Sequence, residues 1–177
     1  YEIVTLENSF HGRTLATLAA TGQDAFHKYF GPFPEGFSYA KPDFESVKEK
    51  ITDKTCAVMM ELIQGESGVH KLDENFVRQT IEYCQANDIL FIVDEVQTGN
   101  GRTGYMYSYQ GYGIMPDIVT TAKGLGGGLR KDGGRIFLWG SRYDVRRKSR
   151  SMCGGRQYRR KAYERFVARS TGERRLP

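Results

Sequence analysis

Cysteine is scarce in this chain of 177 residues, and its three copies, Cys56, Cys84 and Cys153, are odd in number and far apart. Neither a disulfide framework nor the paired spacing of a zinc site fits them. They read as buried or incidental thiols of a reducing, cytoplasmic compartment. Histidine is as sparse: His11, His27 and His70 are scattered, so no metal centre is expected. No apolar run approaches the ~20 residues of a membrane-spanning helix, and no membrane partner is expected. No secretory leader and no initiator Met open the chain. It starts on Tyr1, inside the strand-like EIVTL, which leads us to expect a fragment of a longer protein.

Two further shortages divide the chain. Arginine is rare in residues 1–129, which hold 10 Lys+Arg against 17 Asp+Glu, a net charge of −7. Acids are rare in residues 130–177, which hold 16 Lys+Arg against 4 Asp+Glu, a net charge of +12, and 13 of those 16 bases are Arg. A break that sharp marks a boundary. Hydrophobic residues at 39% and charged residues at 27% otherwise fit a soluble globular domain with room for one core.

What is present in residues 1–129 alternates. EIVTL (2–6) predicts a strand and GRTLATLAATG (12–22) a short helix ending at Gly22. FGPFPEGF (30–37) has the turn signals of a loop. Asp43 can cap a helix running to Ile51. TCAVMMELI (55–63) predicts a buried strand. DENFVRQTIEYCQAND (73–88) places Phe76, Val77, Ile81 and Cys84 at helical spacing. ILFIV (89–93) and DIVTTA (117–122) predict two more strands. Strands that are apolar throughout and separated by helices predict a mostly parallel sheet covered on both sides.

Ligands of such sheets bind beyond the carboxyl ends of the strands. There the sequence has NSFHGRT (8–14), ELIQGESGV (61–69), DEVQTG (94–99), and Lys123 followed by GLGGGL. An acid at a strand end is usually a cap, and a lysine before a glycine-rich turn is usually solvated. A lysine amine and a carboxylate over one pocket suit imine chemistry, in which the acid keeps a ring nitrogen protonated. The glycines after Lys123 would let a bulky cofactor approach the backbone. The phosphate-loop reading fails, because no GxxxxGK[ST] precedes that lysine, and GNGRTG (99–104) lacks the dinucleotide-binding spacing.

NSFHGRT, ELIQGESGV, FIVDEVQTGNGRTG and PDIVTTAKGLGGG, in this order, resemble the class III (ornithine/acetylornithine-type) pyridoxal-phosphate aminotransferases. TLAATGQ (17–23) and FGPFPEGF are most similar to the acetylornithine branch. The resemblance covers about residues 1–129. It implies part of the large domain of fold type I, α/β with a mostly parallel sheet flanked by helices, and pyridoxal 5'-phosphate as cofactor. It implies Lys123 as the Schiff-base lysine and proton shuttle, and Asp94 as the partner of the pyridine nitrogen. Gln97 would bond near the ring oxygen, with Phe10 and Val96 on the two ring faces. Arg13 would clamp a substrate carboxylate and Glu66 would line the substrate pocket. His11 is placed with the substrate contacts, a packing or hydrogen-bonding role being the alternative. Glu61 and Gln64 would shape their loop. The implied reaction moves the δ-amino group of N-acetylornithine to 2-oxoglutarate, in a homodimer. Ornithine, succinyl-diaminopimelate and 4-aminobutyrate enzymes share these motifs.

The resemblance stops at Leu129. The family's Pro-Ile-Gly-like continuation, its phosphate-binding loops, its small domain and a C-terminal substrate-binding arginine have no counterpart here, so the chain as written is expected to have little activity. We expect residues 130–177 to be a frame-shifted translation without ordered packing, although RIFLW (135–139) could form a strand. The rival readings are a genuine basic tail that binds nucleic acid nonspecifically on a decayed core, and a product with no function. A nucleic-acid partner is not the expected one.

Overall fold

The computed structural model describes residues 1–123. Five parallel strands form one sheet in the order β2-β1-β3-β6-β7: β1 is Glu2–Leu6, β2 Phe37–Ala40, β3 Thr55–Met60, β6 Leu90–Asp94 and β7 Ile118–Thr120. A two-residue antiparallel ladder, β4 (Ile63–Gln64) with β5 (His70–Lys71), projects after β3. The helices are α1 (Leu15–Ala19), α2 (Phe44–Lys50), α3 (Glu74–Ala86) and α4 (Ser108–Gly111). The expected α/β class with a mostly parallel sheet is what the chain adopts.

Strand side chains alternate between the faces of a sheet. Val4 and Leu6, Val58 and Met60, Phe91 and Val93 point to one face. They pack with Val47 of α2 and with Phe76, Val77, Ile81 and Cys84 of α3 in one buried cluster. The opposite face carries half-buried Ile3, Met59 and Ile92 and buried Ala57, and Tyr39 of β2 on this face donates its hydroxyl to the Ala19 carbonyl of α1. The end of this second face is polar: Thr5, Glu61 and Asp94 are buried there.

The two longer helices start where their caps predict. Asp43 accepts a hydrogen bond from Ser46 N at 2.8 Å, and Asp73 accepts one from Phe76 N at 2.9 Å. Other expectations need correction. The helix expected over 12–22 is confined to Leu15–Ala19. At its start, Gly12 (φ +139°) and Thr14, with extended ψ of 159°, are not helical. At its end, Gly22 is drawn onto the end of β1, where its carbonyl accepts from Asn8 N at 2.7 Å. A Cβ on Gly22 would fall 2.1 Å from the Leu6 carbonyl oxygen, so the approach requires glycine. The strand expected over 55–63 ends at Met60, because Ile63–Gln64 pairs with His70–Lys71 instead. The loop expected over 30–37 gives way at Phe37 to β2, an edge strand whose Ser38 interrupts any apolar run. The expected roles of GLGGGL, the RIFLW strand, and the disorder and frame shift of 130–177 lie outside the described residues. Among the described residues no helix is long and apolar enough to cross a membrane.

Asp73→Ala should lower stability by about 1 kcal/mol through loss of the α3 cap. Urea unfolding should show a lower midpoint at unchanged slope, and an unchanged midpoint would mean that the cap contributes nothing.

Candidate active site

All five strands run the same way, so their carboxyl ends meet at one edge. Asp94 is the last residue of β6 and is 4% exposed. Thr120, its cross-strand partner on β7, lies on the same face and donates its hydroxyl to Asp94 Oδ1 at 2.9 Å. Val96 N donates to the same oxygen at 3.0 Å. His11, carried past β1 by the Asn8–Phe10 turn, has a fully buried side chain with Nδ1 2.8 Å from Asp94 Oδ2. An ionised carboxylate only accepts, so this contact places the His11 proton on Nδ1. Burying a carboxylate is costly unless hydrogen bonds meet it, and here donors from three segments do so.

A second acid lies beside it. Glu61, 2% exposed at the end of β3, accepts from Phe10 N at 2.8 Å. Burial pushes its pKa from 4.5 up to about 7; the nearby Asp94 charge adds to the rise, while the Phe10 N–H and His11 act against it. A third, Glu95, is fully buried and turned away from this group. It accepts from the Thr98 hydroxyl, from Ser108 Oγ at 2.8 Å and from Tyr109 N at 2.9 Å. It thereby fastens the start of α4 to the end of β6, beside the Val96–Gln97 segment.

The expected site residues fall into groups. Asp94, His11, Phe10 and the Val96 main chain are brought together at the edge, with Arg13 beside them: its guanidinium carbon lies 5.7 Å from the Phe10 ring centre and 5.1 Å from that of Phe26. The Gln97 side chain lies against Gly65, where a methyl group would meet it at 3.5 Å. Glu66 is exposed and accepts from Gln23 Nε2 at 3.1 Å. Gln64 donates from Nε2 to the Glu7 carbonyl at 2.9 Å, holding its loop to the end of β1. Lys123 follows Thr120 by three residues, is exposed and takes a left-handed backbone (φ +45°). No ion pair joins it to Asp94. Asn100 steadies the approach to it, with Nδ2 3.3 Å from the Ala122 carbonyl. Sequence reasoning missed Thr120, Glu95 and Gln23 as contributors. Thr120 could have been found by setting DIVTT beside FIVDE in parallel register.

Two carboxylate oxygens offer about four acceptor positions. Three donors reach Asp94, which leaves room for one more N–H. The donor set therefore fits a cationic ring nitrogen as the fourth partner.

The class-III aminotransferase family pattern matches residues 1–133. This chain belongs to the class-III aminotransferase family. The acetylornithine aminotransferase of Caldanaerobacter subterraneus is 53% identical over 130 residues, covering 73% of this chain and 33% of that protein. That of Streptococcus mutans is 54% identical over 129 residues, covering 72% and 34%. Among solved structures, the ornithine aminotransferase of Toxoplasma gondii superposes with a TM-score of 0.68 at 31% identity, over 72% of this chain and 30% of its own. A thermostable ω-transaminase from Thermomicrobium roseum gives 0.67 at 32%, over 72% and 33%. The fold is thus that of the family's solved members. The chain spans about a third of the length of the curated relatives it matches.

Glu61 yields a pH test. Its folded pKa of about 7 lies above 4.5, so between these values the folded protein binds more protons than the unfolded chain. This contribution is full at low pH and is lost as pH rises through about 7, by up to ~3 kcal/mol. Glu61→Gln abolishes it. The stability of the wild type relative to this variant should therefore fall from about pH 5 to about pH 7.5 in urea titrations. A constant difference would show that Glu61 ionises as it does in water.

Proposed function

We propose that this chain is the cofactor-binding part of a pyridoxal-phosphate-dependent aminotransferase, with N-acetylornithine as amino donor and 2-oxoglutarate as acceptor, placing it in arginine biosynthesis in the cytoplasm. The observation that carries the reading is the buried Asp94 carboxylate at the sheet edge, with one acceptor position open and Lys123 three residues beyond its strand partner. Pyridoxal 5'-phosphate, when bound, supplies a protonated ring that withdraws electrons from the substrate carbon.

The rest falls to the chain's own side chains. Asp94 holds the ring N–H, and its charge keeps that proton in place. His11 and Thr120 orient Asp94 as positioning residues. Lys123 would hold the cofactor's carbonyl carbon through Nζ, and its amine, once displaced by the substrate's amine, would move a proton at the substrate carbon. Phe10 and Val96 confine the ring and Gln97 bonds near its oxygen. Arg13, with no acidic partner among the described residues, offers its planar fork to a substrate carboxylate. Glu66 would meet the substrate from the loop between β4 and β5, and His11, buried against Asp94, would act through that carboxylate. The relatives near 50% identity are acetylornithine aminotransferases, which favours that donor over ornithine, succinyl-diaminopimelate or 4-aminobutyrate. A homodimer belongs to the same reading.

Residues 130–177 form the second part of the proposal. The family match ends at residue 133 and the relatives align over 129–130 residues, close to where the arginines begin. This supports reading the tail as a frame-shifted segment rather than as a nucleic-acid-binding module.

Incubation with pyridoxal 5'-phosphate, borohydride reduction and peptide mapping read attachment rather than turnover. The label is expected on Lys123 and should vanish in Lys123→Ala. A label spread over other lysines, or none, would refute the assignment.

A further inference from the structure

Glu61 and Asp94 leave neighbouring strands side by side. Met60 and Val93 are register partners of β3 and β6, and each acid is the next residue in the chain. Both therefore lie on the same face of the sheet, and both are closed off from water, at 2% and 4% exposure. Two adjacent carboxylates are costly to ionise together in a dry site unless cations or donors meet them. Asp94 is met by His11 Nδ1, Thr120 Oγ1 and Val96 N. Glu61 is met by the main-chain donors of Phe10, at 2.8 Å, and Gly65. The charged groups that face it are His11 from the turn after β1 and Asp94 from β6. Among the described residues no lysine or arginine pairs with it. The His11 ring gives it no hydrogen bond either: Nδ1 is committed to Asp94, and Nε2 is buried with no partner.

Burial, with the charge of Asp94 added to it, is what holds a proton on Glu61 near neutral pH. Of these two causes, the charge is the one that a bound group can change. A cation at the open acceptor position of Asp94 offsets the neighbouring negative charge. Covering the edge adds little desolvation to a side chain that is already buried, so the added charge decides the direction. We propose that Glu61 is a positioning residue that releases its proton to solvent when a cationic ring nitrogen docks on Asp94. The O–H bond of Glu61 breaks, the electron pair stays on the carboxylate, and a second negative charge then backs the one that meets the ring. Cofactor binding and pH are thereby coupled at this edge, and the hold on the ring strengthens as pH rises through about 7. The inference rests on the proposed role of Asp94 as partner of the ring nitrogen; the pairing of the two acids does not.

The test uses the full 177-residue chain and pyridoxamine 5'-phosphate. This probe has the same ring and phosphate, with an amine in place of the aldehyde. It forms no imine with Lys123, and its own ionisations are common to every protein compared. Calorimetry gives its affinity for the wild type and for Glu61→Gln from about pH 5 to about pH 8. The glutamine matches the protonated acid in shape and keeps an acceptor for Phe10 N. The two proteins should bind equally at the acid end, and the wild type should bind about tenfold tighter at the alkaline end, the size expected of one added charge near a buried group. A ratio of affinities that does not change with pH would overturn the proposal, because a merely structural loss in the variant weakens binding equally throughout.

A second measurement needs no variant. The side-chain carboxyl carbon of Glu61, followed by NMR in the wild type, should titrate at lower pH with the probe bound than without it. An unmoved or raised midpoint would overturn the proposal. A wild-type chain that binds no probe at any pH would overturn the reading of Asp94 as the ring's partner, and the coupling with it.

Discussion

A carboxylate buried at the end of a parallel strand must be met by donors, and most of this structure's polar edge is arranged to meet one. Asp94 leaves the hydrophobic β6 at the point where the sheet still excludes water. Three chain segments converge on it: the turn after β1 through His11, the end of β7 through Thr120, and its own following turn through Val96 N. Displacing any of them would leave an ionised group short of partners in a dry site, which is expensive. The register of β6 with β7 and the close approach of Gly22 to β1 can be understood as serving this convergence.

Three acids at one sheet edge are kept distinct by what surrounds them. Asp94 has charge-preserving donors and an open acceptor position. Glu61 has the main-chain donors of Phe10 and Gly65 but also a negative neighbour, and burial outweighs the donors and drives it toward its neutral form. Glu95 is closed off by two hydroxyls and a main-chain N–H and acts as a fastening for α4. Similar residues thus separate into a donor-met carboxylate with an open acceptor position, a proton-holding neighbour and a structural anchor through local donors and desolvation.

The parts of this arrangement that follow a period or a cap were legible in the sequence. The apolar run ending in Asp94, the Asp43 and Asp73 caps and the amphipathic face of α3 each announce themselves within a few residues. What was hidden depends on contacts distant in sequence. The shortening of α1 comes from Gly22 being pulled onto β1. The β4–β5 ladder takes Ile63 and Gln64 out of the strand pattern that TCAVMMELI suggests. Thr120 and Gln23 look like ordinary polar residues until the strand register and the Ser9 turn set them against Asp94 and Glu66. The proposed roles of Lys123 and Arg13 rest on resemblance to the family; the geometry alone, one residue exposed and left-handed and the other stacked on aromatic rings, does not single them out.

In the proposed reading, Asp94 is a carboxylate held ready for a cationic ring nitrogen. The affinity of the chain for pyridoxal 5'-phosphate, followed by fluorescence quenching in the wild type and in Asp94→Asn, addresses it most directly. The asparagine keeps the shape and removes the charge. Binding should be at least roughly tenfold weaker in the variant, the loss expected when a charge-assisted hydrogen bond is removed, with circular dichroism unchanged. Equal affinity in two folded proteins would contradict it.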